Sequence, residues 1–208
     1  MSAATVFEAA PPVHELIARR RSPRAFDPDR DVSRGAILSL LEAARLAPSS
    51  FNEQPWRFLI FDGGNRSGLE QARSCLAEGN AWARSAPMLL LSAAVDRWSR
   101  DGTPNRHAQH DVGLASENLA IEATDLGLGV HFMAGFDAER ARTLFGIPKG
   151  FTPIAMIAVG YPGDPDQLPP KLRERELAPR KRKPIDEIAF AGRWASPFAV
   201  HELAGPKI

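Results

Sequence analysis

The segment Met88 to Val95, MLLLSAAV, is apolar save for Ser92 and is closed by Pro87 and Asp96. A helix needs about 20 residues to cross a bilayer, so this run is far too short to span one. Its length and boundaries suit a central strand buried on both faces. A strand without a solvent face needs a covering layer on each side, and the flanking periodicities supply helices for them. Val13, Leu16 and Ile17 recur at helical spacing over 13–20. Ser33 reads as the N-cap of a helix with Ile37, Leu40, Leu41 and Ala44 on its apolar face, stopped by Pro48.

RFLIF at 57–61 reads as a strand. Gly63-Gly64 marks a turn, and Ser67 is expected to cap a helix carrying Leu69, Ala72 and Leu76. The longest helix is expected over 107–126, ended by Gly127 and Gly129; its Gly113, Ala115 and Ser116 are small enough for a second helix to approach closely. Strands follow at 130–133 and 154–159, with a helix between them capped by Asp137 and running to Phe145. Strands alternating with helices predict a layered helix–sheet–helix domain.

A chain of 208 residues suits one domain over 1–208. Residues 1–12 read as a flexible arm. Over 161–208 the prolines 162, 165, 169, 170, 179 and 184 punctuate a basic, extended tail that cannot form a core alone, so it lies free or along another surface. With a formal net charge of +1, no global field points to nucleic acid, a membrane or a polyanion. Cys75 is the only cysteine, which excludes an intrachain disulfide, a CxxC pair and a cysteine-held iron–sulfur cluster within one chain. Redox chemistry would therefore need a bound cofactor. The opening MSAATVFEAAPP lacks the basic and apolar regions of a signal peptide, and the cytoplasm is the expected location.

Two segments carry the candidate chemistry. Arg20-Arg21-Ser22-Pro23-Arg24-Ala25-Phe26 packs guanidinium forks and a hydroxyl into a space that can surround one phosphate. Taken alone, it reads first as a solvated basic helix end. Ala47-Pro48-Ser49-Ser50-Phe51-Asn52-Glu53-Gln54-Pro55-Trp56 sets short polar side chains between prolines, a rigid loop suited to a heterocycle's polar edge or simply a connector. His107 and His110 have an H-x-x-H spacing without a facing third ligand, so no metal site is expected. Gly127-Leu128-Gly129 ends a helix rather than opening one, against a dinucleotide fingerprint. The run Arg180 to Lys183 has acidic neighbours that argue against a nucleic-acid patch.

Together, RRSPRAF and APSSFNEQPW, with Gly79-Asn80 before the apolar strand, Ala134-Gly135-Phe136-Asp137, Phe145-Gly146-Ile147-Pro148 and Val159-Gly160-Tyr161-Pro162, resemble the nitroreductase superfamily over residues 13–194. The resemblance implies an α+β fold, a three-layer α/β/α sandwich with a mixed central sheet and an extended C-terminal tail packing on the partner subunit. It also implies an intertwined homodimer with FMN at the subunit interface and NADH or NADPH as electron donor.

By the same resemblance Arg20 and Ser22 bind the FMN phosphate with support from Arg21, and Arg24 sits near the flavin N1–C2=O edge. Pro48, Ser49, Ser50 and Asn52 reach the ribityl chain and ring of the other subunit's flavin. Asn80 meets the pyrimidine side, a backbone N–H of Ala134 or Gly135 faces N5, and Arg180 and Arg182 return to the phosphate. The implied activity is ping-pong hydride transfer through the flavin to nitroaromatics, quinones or similar electron-poor molecules. A specialised reaction (reductive dehalogenation, enal or aldehyde reduction) and a non-catalytic FMN-binding or storage role are the alternatives. Trp98, in the 97–106 loop, is a candidate to close over the cofactor.

Overall fold

The computed structural model describes residues 13–198, and the chain divides into two compact units, Met1–Glu176 and Leu177–Ile208. The expected arm at 1–12 and the end of the tail lie outside the described residues. The elements are α1 (Glu15–Arg19), α2 (Arg34–Arg45), β1 (Trp56–Phe61), α3 (Arg66–Ser74), β2 (Met88–Val95), α4 (Ala108–Asp125), β3 (Gly129–Met133), α5 (Ala138–Phe145), β4 (Phe151–Gly160) and α6 (Pro170–Leu177). Within the second unit, Phe190 and Pro197 form an isolated antiparallel bridge, and the Phe190 and Trp194 rings meet at 4.9 Å.

The strands form one sheet in the order β1-β2-β4-β3. Leu91 of β2 faces Leu59 of β1 on one side and Met156 of β4 on the other. Every described pairing is antiparallel, where a mixed sheet was expected. The reason is topological: β4 returns between β2 and β3, so the strands that share a direction, β1 with β4 and β2 with β3, are never neighbours.

β2 behaves as its apolar run requires. Successive side chains point to opposite faces of a strand, so Met88, Leu90 and Ala94 enter one core with α2 and α4, while Leu89 and Leu91 enter a second with α3 and α5. Those are the outer layers of the three-layer α+β arrangement. In α4, Ala115 and Ser116 are buried and accommodate α2, whereas Gly113 faces outward with nothing within 4 Å of an added Cβ.

Local signals placed most boundaries. The Ser33 side chain accepts from Ala36 N, and Asp137 accepts from Arg140 N. The cap of α3 is Asn65, which accepts from Gly68 N, and not Ser67. A 3₁₀ turn over Gly63–Asn65, held by Asp62 on Gly64 N, starts that helix early and leaves Ser67 inside it. The tail expected to be extended contains α6, which begins at Pro170, where a proline costs no helical hydrogen bond. Among the described residues no helix is long and apolar enough to cross a membrane.

Candidate functional site

The segment 20–24 leaves α1 and crosses β3. An added Cβ on Gly129 would collide with the Pro23 ring, so the glycine permits the close approach. His131 of β3 donates from Nδ1 to the Pro23 carbonyl at 2.9 Å. Burial pushes the His131 imidazole below its ordinary value, so the neutral ring is favoured; the hydrogen bond to Pro23 works the other way. Arg24 N donates to Glu176 Oε2 at 2.8 Å, and Arg21 Nη2 donates to the Glu176 carbonyl at 3.1 Å. Arg20 Nη1 donates to Ser22 Oγ at 3.3 Å, while its Nε lies 3.5 Å from Glu117 of α4. Three arginines and a hydroxyl are thus gathered on one short stretch.

A second pair joins this surface. Asn80 Nδ2 donates to Gly135 O at 2.9 Å, across 55 positions of sequence. That carbonyl also accepts from Ala77 N at 3.1 Å. One amide hydrogen of Asn80 is therefore engaged, leaving its carbonyl oxygen and second hydrogen for a ligand. Trp82, in the same 3₁₀ segment Glu78–Ser85, lies 4.5 Å from the His131 ring and 5.9 Å below the Arg24 guanidinium. The segment that carries Asn80 therefore also carries, two residues on, the indole that meets Arg24 and His131. Ala134 and Gly135 are both exposed.

The loop after α2 is braced at several points. Ser49 Oγ accepts from Gln54 N at 3.0 Å. Ser50 N donates to Asp111 Oδ2 at 3.0 Å, and that carboxylate is 2% exposed in the first turn of α4. Glu53 accepts from Ser99 N at 2.7 Å and Ser99 Oγ at 3.1 Å. Phe51, Asn52 and Gln54 have φ of 54°, 56° and 50°, left-handed values that residues other than glycine hold only when their surroundings impose them. The result presents Phe51 at 77% exposure, with Trp98 edge-on at 5.7 Å and Arg100 stacked at 4.6 Å. Trp98 itself is 8% exposed and braces Phe51.

Pro48 is exposed just before this loop. Asp111 and Glu117 sit about 9 Å apart along α4 at 1.5 Å per residue, so one helix carries both the loop and the Arg20 contact. His107 and His110 meet edge-to-face at 6.5 Å, with His110 Nδ1 bonded to Asp111. Arg180 and Arg182 belong to the second unit, where Arg182 Nη1 donates to Lys181 O.

Sequence reasoning named the basic segment, the serine loop, Asn80 and Gly135 as candidates. It missed Glu176, Asp111, Glu117 and Trp82 as supports of those residues. Their signal is spatial: an acid or an aromatic acquires such a role only through the partner the fold brings to it.

The model of the nitroreductase family matches residues 17–161. A putative NADH dehydrogenase/NAD(P)H nitroreductase of Methanothermobacter thermautotrophicus is 33% identical, covering 73% of this chain and 78% of that protein. An uncharacterized 15.4 kDa protein of Mycolicibacterium smegmatis is 36% identical over 68% of this chain and 99% of its own length. Among solved structures, an oxidoreductase containing FMN superposes with a TM-score of 0.84 at 34% identity, covering 94% of this chain and 100% of that one.

Proposed function

This chain belongs to the nitroreductase family, and from that premise we propose that it is an FMN-dependent NAD(P)H oxidoreductase that works as a homodimer on small electron-poor molecules such as nitroaromatics and quinones. The observation that carries the proposal is the gathering of Arg20, Arg21, Ser22 and Arg24 on one stretch beside the 3₁₀ segment that holds Trp82 under Arg24 and Asn80 on Gly135. A phosphate needs cationic forks and short hydroxyl donors, and Arg20 and Ser22 provide both within hydrogen-bonding distance of each other. A planar ring with a polar edge needs fixed amide groups at a shallow exposed surface, and Asn80 with Ala134 and Gly135 offers them. The residues present fit the cofactor.

In this reading Arg20 and Ser22, with Arg21 beside them, hold the phosphate. Charge-assisted hydrogen bonds of this kind contribute roughly 1.5–3 kcal/mol each. Bound there, FMN would supply two-electron transfer between the nicotinamide and the acceptor, chemistry that no side chain of this protein can perform. The protein's share is orientation and electrostatics. Arg24 and Asn80 would offer a cation and an amide to the negative charge that gathers on reduction, and since the Arg24 backbone and the Asn80 amide are already held, little reorganisation would be needed. The Ser49–Asn52 loop, rigid and outward-facing, is suited to reach the cofactor of a partner subunit, with Pro48, Ser49, Ser50 and Asn52 as the contacting residues.

Reconstitution with FMN and a visible spectrum tests the proposal directly. The wild type should retain yellow flavin, bleach on mixing with NADH or NADPH, and recover on adding a quinone. Arg20→Glu should lose the flavin while sedimenting as the same dimer. A colourless wild type after reconstitution, or full retention by R20E, would reject the assignment.

A further inference from the structure

One peptide unit of the basic segment is held at both ends. Its oxygen, Pro23 O, accepts from His131 Nδ1 at 2.9 Å, and its nitrogen, Arg24 N, donates to Glu176 Oε2 at 2.8 Å. A peptide group is planar, so fixing both ends fixes its orientation and thereby the backbone angles on either side. The same Glu176 accepts from Arg21 Nη2 through its own carbonyl. Ser22 therefore sits between two residues that both bond Glu176, a residue more than 150 positions away on α6.

Glu176 does not behave as a solvated surface acid. Its side chain is 14% exposed, and its shorter bond runs to a backbone N–H, while the Arg24 guanidinium is 4.0 Å away. A carboxylate beside a cationic anion site weakens that site by charge alone. Any help it gives to anion binding must come through geometry.

We propose that Glu176 is the positioning residue of the phosphate-binding segment, fixing the Pro23–Arg24 peptide so that Ser22 and Arg20 are set before the cofactor arrives. The inference rests on the FMN reading above and adds to it a residue outside the binding motif. His131 is the second hand of the clamp, and Glu176 is the one that can be altered without disturbing the sheet.

The test compares FMN with riboflavin, which carries the same ring without the phosphate. Titrations following flavin fluorescence should show Glu176→Ala binding FMN about tenfold more weakly, the change that accompanies loss of one charge-assisted hydrogen bond. Its riboflavin affinity should equal that of the wild type. Glu176→Gln keeps an acceptor for Arg24 N and should stay within about twofold of wild type for FMN. A general loss of structure would weaken both ligands alike and overturn the proposal. So would E176A binding FMN as well as wild type, or E176Q binding as weakly as E176A or several-fold more tightly than wild type. Wild-type protein with no FMN affinity would remove the functional reading and this inference with it; an unaffected E176A would remove this inference alone.

Discussion

Gly135 carries two hydrogen bonds on one carbonyl and leaves no room for a side chain. An added Cβ would lie 2.8 Å from Asn80 Nδ2 and 3.6 Å from Ala77 Cβ. The Asn80 amide is the end of a short side chain and can rotate away, at the cost of its bond to Gly135 O. Gly135→Ala should therefore fold, lose about 1 kcal/mol from that bond, and bind FMN more weakly. Gly79, with nothing within 4 Å of an added Cβ, is the matched control. Urea midpoints and flavin titrations of both variants check this. G135A with the affinity of G79A would mean that the amide does not serve the ligand.

At the scale of elements, the informative junction is the loop over residues 49–54 on the first turn of α4. Asp111 is almost fully buried, and it is tolerable there because its oxygens accept from Ser50 N and pair with His110 Nδ1. It also lies near the positive end of the helix dipole. Removing it leaves the Ser50 N–H short of its acceptor beside three residues at left-handed φ. Asp111→Ala should cost about 1 kcal/mol, the low end of the penalty for stranding a donor, since Ser50 is half-buried. Amide exchange in residues 50–54 should accelerate more than in β2. Exchange rising equally throughout the chain would show that Asp111 supports the core and not the loop.

For the whole molecule, His131 links stability to pH. Its burial between Trp82 and the Pro23 segment depresses the imidazole in the folded state from 6.5, while the unfolded chain protonates near that ordinary value. In the window below 6.5 the unfolded state binds the extra proton, so stability is fully present above it and falls with pH until the folded ring also protonates. Thermal midpoints should therefore decline between about pH 7 and about pH 5. His131→Asn, whose Nδ2 can replace Nδ1 as donor to Pro23, should show a shallower decline. An unchanged slope would assign the pH dependence to other groups.

The amino-acid sequence determined most of the elements, α6 and the start of α3 excepted, because their signals are local. The apolar run at 88–95 is β2 to the residue, Ser33 and Asp137 cap the helices they precede, and the proline-bounded serine loop stands where its composition puts it. The motif order also sufficed for the family. Sequence did not reveal the strand order, since whether β4 enters between β2 and β3 depends on which edge remains open after the helices pack. Nor did it reveal the supports of the site. Glu176 reads as one charge among several on a basic tail until α6 brings it to Arg24, and Asp111 reads as a helix-surface acid until the loop covers it. Local chemistry writes the donors. Only the tertiary structure, by closing long chain separations over single hydrogen bonds, decides which groups hold them in place.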